Sequence, residues 1–408
     1  MARAAEGLVL TSDWKDLDSV TAIGQGLRDR YADLAAAGVA LRFAEVRDHS
    51  RRAPLGHDYA EFFECLQREP PAFVVVTNGA ILRSYFFRLL LMVLHGKGCA
   101  LYLHLYGDFL RQADLWLSLE GLLRNQRVRF LVPSRAYDRV VRKTLLDPDG
   151  VRAVPFSFEP RDLGRDEAPV PRSAALVFLY VGRLSRQKNV AAMIDLLEAL
   201  QEKHGRPVEL WLAGGFDDFE PLGRGPQLLG TRFAELERPS SISVVRWGHL
   251  PRPRVAALFP SADVYLSLST FYDDDFCLAA VEALCAGLPA VLSRWGGHVD
   301  LLERFPDRAC GVSLTGDGHF VDRARALAEL ERFLTALPAR SAADGVRDYF
   351  SRTRVSGLLR TELETAPPPF VGFAPILRRW RDELRSNAPE TAFSELYEPF
   401  QGRADELD

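Results

Sequence analysis

The residues of this chain best suited to chemistry lie in STFYDDDFCLAAVEALCAGLPAVLSRWGGH, residues 269–298. Three consecutive aspartates, Asp273, Asp274 and Asp275, precede Phe276 and an apolar, alanine-rich helical pattern that starts near Cys277. Glu282 follows about a turn and a half inside it. The first free backbone N–H groups of such a helix belong to Cys277, Leu278 and Ala279, and they suit a negatively charged ligand. One acid capping the helix is ordinary structure, and three exceed what a cap needs. Carboxylates at this place bind neighbouring hydroxyls, because each accepts two or more hydrogen bonds. A second loop, YVGRLSRQKNV, leaves a strand through Gly182 and sets Arg183 and Lys188 ahead of a helix that begins near Asn189. Two permanent cations there suit a diphosphate, although a basic loop alone is equally a solvated surface. Phosphate clamp, helix start and hydroxyl-binding carboxylates together fit a nucleotide-diphosphate sugar.

These loops need a frame, and the hydropathy pattern supplies one. Short apolar runs (GLVLTS, VALRFAEV, AFVVVTN, CALYLHLY, RFLVPS) alternate with amphipathic segments, and the rhythm resumes in LVFLYVG, VELWLAGG, SISVVRWG, VYLSLS and PAVLSR. This pattern predicts an α/β protein of two Rossmann-like, doubly wound domains facing across a cleft. Ligands of such sheets bind beyond the carboxyl ends of the strands. Residues 1–160 read as the first domain, and 161–174, rich in proline and charge, as the linker. Residues 175–365 read as the second domain, and 366–408 as a C-terminal helical segment lying outside the second sheet. Gly214 ends a strand in LAGG and permits close approach of a ligand or of another backbone. Trp247 and His249 end another strand. Trp247 reads equally as a core residue, and His249 as a surface one.

The bulk composition excludes several classes of function. With 408 residues, 47% hydrophobic and 26% charged, the chain has the balance of a globular protein large enough for two cores. A formal net charge of −4 gives no basic field for nucleic acid. The five cysteines are scattered without a zinc spacing and read as reduced apolar residues. The N-terminal apolar run is too short for a signal peptide, and no segment is long and uncharged enough to span a bilayer, so a cytoplasmic location is expected. ILRSYFFRLLLMVLHGKG carries Arg83, Arg88 and Lys97 in an apolar stretch. It reads as a core helix, with peripheral contact at the inner membrane surface as the other reading.

Six ordered stretches, VGRLSRQKN, LAGG, WGHL, ADVYLSLS, EALCAGLPAV and WGGHVDLL, resemble the retaining GT-B glycosyltransferases of the group 1, or GT4-like, class, over most of residues 5–320. The resemblance implies transfer of a sugar, of hexosyl type, from a nucleotide-diphosphate sugar to an acceptor hydroxyl with retention. It also assigns roles. Arg183 and Lys188 would neutralise the diphosphate, Glu282 would hold the ribose, and Asp274 would touch the donor sugar. Asp274 stands where the family usually has glutamate, and Cys277 where it usually has glycine. Gly182, Gly214, Trp247, His249, Asp275, Phe276, Cys277 and Leu278 would complete the donor side.

In the first domain His104 matches the histidine that faces the donor sugar, with Asp108 nearby. Asp18 and Ser19 would line the acceptor side. The family's mechanism uses no protein nucleophile: the leaving phosphate helps to deprotonate the acceptor. With Arg183 and Lys188 present, neither metal nor other cofactor is expected, and DDD is not read as a metal site. The acceptor is open among glycan, lipid-linked and other hydroxyl compounds. The alternatives are a GT-B sugar phosphorylase or synthase, and a non-catalytic descendant that binds a glycan or a partner.

Overall fold

The computed structural model describes residues 6–12, 18–46, 59–107, 109–158, 170–171, 174–216, 239–271, 274–316, 318–386 and 391–397. The chain forms two units. One comprises Met1–Ser157 with Arg352–Leu396, and the other Phe158–Ser351 with Tyr397–Asp408.

The first unit is built on six parallel strands: β1 (Gly7–Ser12), β2 (Leu41–Val46), β3 (Phe73–Val76), β4 (Ala100–His104), β5 (Arg127–Val132) and β6 (Val151–Ala153). Their order is β2-β1-β3-β4-β5-β6. Strands covered by helices on both faces need continuous apolar runs, and Val74, Val75, Val76, Leu101 and Leu103 are wholly buried. One face packs Val9, Val75 and Tyr102 against Tyr31 and Leu34 of helix Asp18–Ala36 and against Val355 and Leu359 of helix Arg352–Glu364. Helix Tyr85–Leu94 buries Phe86, Phe87, Leu90, Leu91 and Leu94 and exposes Tyr85 and Met92, as the core-helix reading requires. Among the described residues no helix is long and apolar enough to cross a membrane.

The second unit repeats the plan with β7 (Leu176–Val181), β8 (Val208–Ala213), β9 (Ser243–Gly248), β10 (Val264–Ser267), β11 (Ala290–Ser293) and β12 (Ala309–Val312). All pairs are parallel, in the order β12-β11-β10-β7-β8-β9. The order reverses between β7 and β10, which makes their carboxyl ends a topological switch point. Helix Val190–His204 supplies Met193, Ile194, Leu197 and Leu200 to the core above them.

Two boundaries differ from the sequence reading. The sequence pattern places residues 352–365 in the second domain and 366–408 outside its sheet, yet Arg352–Leu396 belong to the first unit. Val355 and Leu359 complete its core, Phe370 N donates to Gln126 O at 2.7 Å, and Trp380 Nε1 donates to Leu110 O at 2.9 Å. Arg385 reinforces the docking by pairing with Asp114 at 2.6 Å. An amphipathic helix announces that it covers an apolar face, but its sequence does not say which sheet that face belongs to. Most of the expected linker, residues 161–169 and 172–173, lies outside the described residues.

Candidate active site

Both charged loops leave the second sheet at the switch point. The chain exits β7 through Gly182 (φ +152°), while Gly214 (φ +155°) ends the neighbouring β8. A Cβ on Gly214 would stand 1.8 Å from the carbonyl oxygen of Gly182, so the two strand ends meet only because Gly214 carries no side chain. Asn189, in the left-handed region at φ +51°, turns the loop into helix Val190–His204. Its Nδ2 donates to Leu268 O at 2.7 Å and to Thr270 Oγ1 at 3.0 Å, and Thr270 N donates to Gln187 O at 3.1 Å. The β7 loop and the β10 loop are thereby tied edge to edge.

That tie brings Lys188 and Asp274 together. Lys188 Nζ lies 2.7 Å from Asp274 Oδ2 and 3.3 Å from Ser269 Oγ, with the lysine side chain 17% and the aspartate side chain 12% exposed. Burial by itself raises the carboxyl pKa; the adjacent ammonium, together with His298 and the Ser269 hydroxyl, outweighs it, and Asp274 is held well below the usual carboxylate range. Cys277 Sγ donates to the other oxygen, Oδ1, at 3.3 Å. Burial, and next the Asp274 charge, push that thiol well up, so it stays protonated. Cys277 takes a left-handed conformation (φ +59°) and caps helix Leu278–Cys285, which is how a cysteine occupies a position suited to glycine.

The acidic loop is also braced from the far side. Gly297 N donates to Asp274 O at 2.8 Å, and a Cβ on Gly296 would stand 2.2 Å from that oxygen, so the glycine pair exists to let helix Gly297–Arg304 approach the loop. Trp295 Nε1 donates to Phe271 O at 2.8 Å. His298, 2% exposed, has Nδ1 2.9 Å from Ser293 Oγ, and Ser293 Oγ in turn donates to Ser269 O at 2.5 Å. Burial lowers the His298 pKa to about 4.

Other candidates take varied positions. Glu282, 5% exposed, accepts a hydrogen bond at Oε1 from Arg252 Nη2 at 2.8 Å, so the carboxylate expected to hold hydroxyls already carries a charged partner. Arg183 is partly buried, and its carbonyl accepts from Tyr180 Oη at 2.8 Å. Asp275 is buried. Phe276 turns inward and meets Phe350 edge to face at 5.8 Å, so its side chain packs rather than faces a ligand. Leu278 opens its helix half-buried. Trp247 is half-buried and meets Trp211 edge to face at 5.6 Å, and His249 is exposed, as its surface reading had it. Asp273 lies outside the described residues.

In the first unit, Asp18 and Ser19 open helix Asp18–Ala36, with side chains outside the description, and Asp108 lies outside the described residues. His104 ends β4, but it is a core residue: 2% exposed, with Nε2 2.7 Å from Tyr31 Oη. The expected ligand-facing histidine is corrected on this point. Two residues after Tyr102, it lies on the strand face that helix Asp18–Ala36 covers.

Burial lowers the His104 pKa to about 3 from an ordinary 6.5. The folded chain therefore refuses protons that the unfolded chain takes up below pH 6.5. Stability is complete above that pH and falls as the pH drops towards 3. His298 acts in the same direction, so the unfolding free energies from urea titrations at pH 7 and pH 5 should differ by about 2 kcal/mol per histidine. His104→Gln should flatten that dependence, and an unchanged slope would mean that the imidazole is not buried.

Several residues of the site carried no mark in the sequence. Ser269, Ser293 and His298 stand in or beside the acidic stretch, and Arg252 in the run PRPR, but single residues of these types have no spacing that singles them out. Among the described residues no group of three or more His, Cys, Asp or Glu is placed to hold a metal ion.

Comparison with known proteins gives the constellation a context. Residues 166–317 match the family model described as glycosyl transferases group 1. The D-inositol 3-phosphate glycosyltransferase of Corynebacterium kroppenstedtii is 31% identical over 168 residues, 40% of this chain and 34% of that protein. Glycogen synthase of Mycobacterium tuberculosis is 27% identical over 190 residues, 46% of this chain and 39% of that protein. The chain thus matches little more than a third of the length of each. The crystal structure of Anabaena HepE in complex with UDP-glucose superposes with a TM-score of 0.59 at 15% identity, covering 88% of this chain and 99% of that one. A likeness at that identity speaks for the fold, and the family match speaks for the half that carries Lys188 and Asp274. The chain therefore has the GT-B fold, and residues 166–317 of its second unit match the glycosyl transferases group 1 family.

Proposed function

We propose that this chain transfers a sugar from a nucleotide-diphosphate sugar to an acceptor hydroxyl, with retention at the anomeric carbon and without a metal ion. The observation that carries the reading is the Lys188–Asp274 pair, 2.7 Å apart at the switch point and just ahead of helix Leu278–Cys285. An ammonium held there by a carboxylate is positioned for a diphosphate, and the carboxylate beside it for the hydroxyls of the attached sugar. The UDP-glucose complex of the similarly folded HepE supports a donor of this class. Arg183 and Lys188 balance the charge that grows on the departing diphosphate, and Glu282, steadied by Arg252, receives the ribose hydroxyls. The bond between the anomeric carbon and the phosphate oxygen breaks, and the acceptor oxygen bonds to the same face. The acceptor's proton passes to the leaving phosphate, so no side chain is needed as nucleophile or base.

Calorimetric titration of UDP, GDP, ADP and dTDP and their common sugars, in EDTA, tests this directly. One nucleotide should bind in the micromolar range, and Glu282→Ala should weaken it about tenfold, the loss of one or two hydrogen bonds to a charged group. Product NMR with the donor so identified should show the donor's anomeric configuration kept. A chain that binds none of these near a millimolar is not a transferase of this kind, and an inverted product removes the retaining mechanism.

A further inference from the structure

His298 has a role that burial and hydrogen bonding together define. Ser293 Oγ carries a single proton and donates it to Ser269 O at 2.5 Å. The 2.9 Å contact between Ser293 Oγ and His298 Nδ1 is therefore filled by a proton on Nδ1. That fixes the tautomer and leaves Nε2 as a bare lone pair. Nε2 has no hydrogen-bond partner among the described residues, although His298 is only 2% exposed. A lone pair that no protein donor fills is free to accept a hydrogen bond from a ligand.

Its surroundings indicate what that something is. Gly297, the preceding residue, is bonded to Asp274 O at 2.8 Å, so the imidazole is carried on a turn fixed to the acidic loop. The ring lies within electrostatic reach of both Asp274 and Lys188. A lone pair repels the acceptor-only oxygens of an ionised diphosphate and attracts a hydroxyl or amide proton. Burial, with Lys188 adding to it against the Asp274 charge, keeps the ring neutral at physiological pH, so the acceptor is always available.

We propose that His298, through Nε2, accepts a hydrogen bond from a hydroxyl or amide N–H of the donor sugar and so helps this site choose its sugar. The proposal rests on the nucleotide-sugar reading of the site. Lys188 serves the diphosphate, whereas Asp274 and His298 form a pair of acceptors that reads neighbouring donors on the sugar ring.

The test compares UDP with UDP-glucose, or the corresponding pair for whichever base the chain binds, on the natural chain, on His298→Asn and on His298→Gln. Asparagine places an N–H where Nδ1 stands, so it keeps the Ser293 bond and deletes the distal acceptor. Glutamine reaches the position of Nε2. His298→Asn should bind the nucleoside diphosphate as the natural chain does. It should lose about tenfold in affinity for the sugar nucleotide, as one hydrogen bond implies, and glutamine should recover part of that loss. Equal losses for both ligands, or no loss for either in a variant that melts normally, would overturn the proposal by reducing His298 to a brace for the loop. If His298→Asn fails to fold, a deoxy-sugar series on the natural chain and on His298→Gln decides. Failure of one deoxy donor on the natural chain that His298→Gln relieves in part supports the role, and discrimination that the substitution leaves unchanged, or tolerance of every deoxy donor, removes it. Should the natural chain bind neither UDP, GDP, ADP nor dTDP, the donor-site reading itself has failed, and this proposal falls with it.

Discussion

Lys188→Ala should abolish detectable donor binding and lower sugar transfer by at least about 10²- to 10³-fold, the usual consequence of removing one group that stabilises transition-state charge. The variant should also be less stable, because Asp274 is left buried without its counter-charge. Breaking a buried pair by deleting one partner costs about 3–5 kcal/mol. In the natural chain the ammonium holds Asp274 ionised. Without it burial, the largest influence on this carboxyl, is opposed only by His298 and the Ser269 hydroxyl, and the folded-state pKa of Asp274 is expected to rise above its unfolded value. Such a group takes up a proton on folding, so the deficit relative to the natural chain should shrink as the pH is lowered from 7 to 5. Lys188→Ala/Asp274→Asn should therefore recover much of the stability and none of the transfer. Urea denaturation at the two pH values, beside calorimetry, separates the two effects. A Lys188→Ala chain of unchanged stability would mean that the 2.7 Å pair is absent in solution.

Gly214→Ala should destabilise the second unit by about 3 kcal/mol or more and remove donor binding along with it. Two costs combine at this position. The backbone φ of +155° is one that side chains rarely adopt, worth about 1–3 kcal/mol, and the new Cβ would overlap the Gly182 carbonyl oxygen at 1.8 Å. Relief requires β7 and β8 to part at their carboxyl ends. There Gly182 N bonds to Ala213 O at 2.9 Å and Leu184 N to Gly215 O at 2.8 Å. Those bonds set the path of the loop that carries Arg183 and Lys188, so stability and binding should fall together. Gly205→Ala is the control. It also has a left-handed φ, of +62°, but a Cβ there meets nothing within 4 Å, so its loss should be about 1 kcal/mol and binding should survive. Equal losses in the two variants would show that backbone strain alone is at work and that the strand ends tolerate a methyl group.

The sequence by itself determined the class of fold and the loops that matter. Period-3.6 segments between short apolar runs admit few arrangements other than parallel, helix-covered sheets, and VGRLSRQKN and DDDFCLAAVEA put charge on loops that leave strands. Local patterns carry that much because secondary structure and loop chemistry depend on neighbours in the chain. Partnership between distant residues does not, and it was decided by the tertiary structure. Lys188 meets Asp274 because the strand order reverses between β7 and β10, and the sequence records the order of strands along the chain but not across the sheet. Arg252 reaches Glu282 across 30 positions, and nothing in PRPR announces it. His104 matched a ligand-facing position, yet a tyrosine 73 residues earlier claims it for the core. Helix Arg352–Glu364 was legible as amphipathic, but which of two apolar sheets it covers was settled by Val355 and Leu359 fitting beside Tyr31 and Leu34. His298 shows the same division most sharply. Its place after a glycine pair was plain to read, while its tautomer and its open lone pair exist only because Ser293 and Ser269 fold against it.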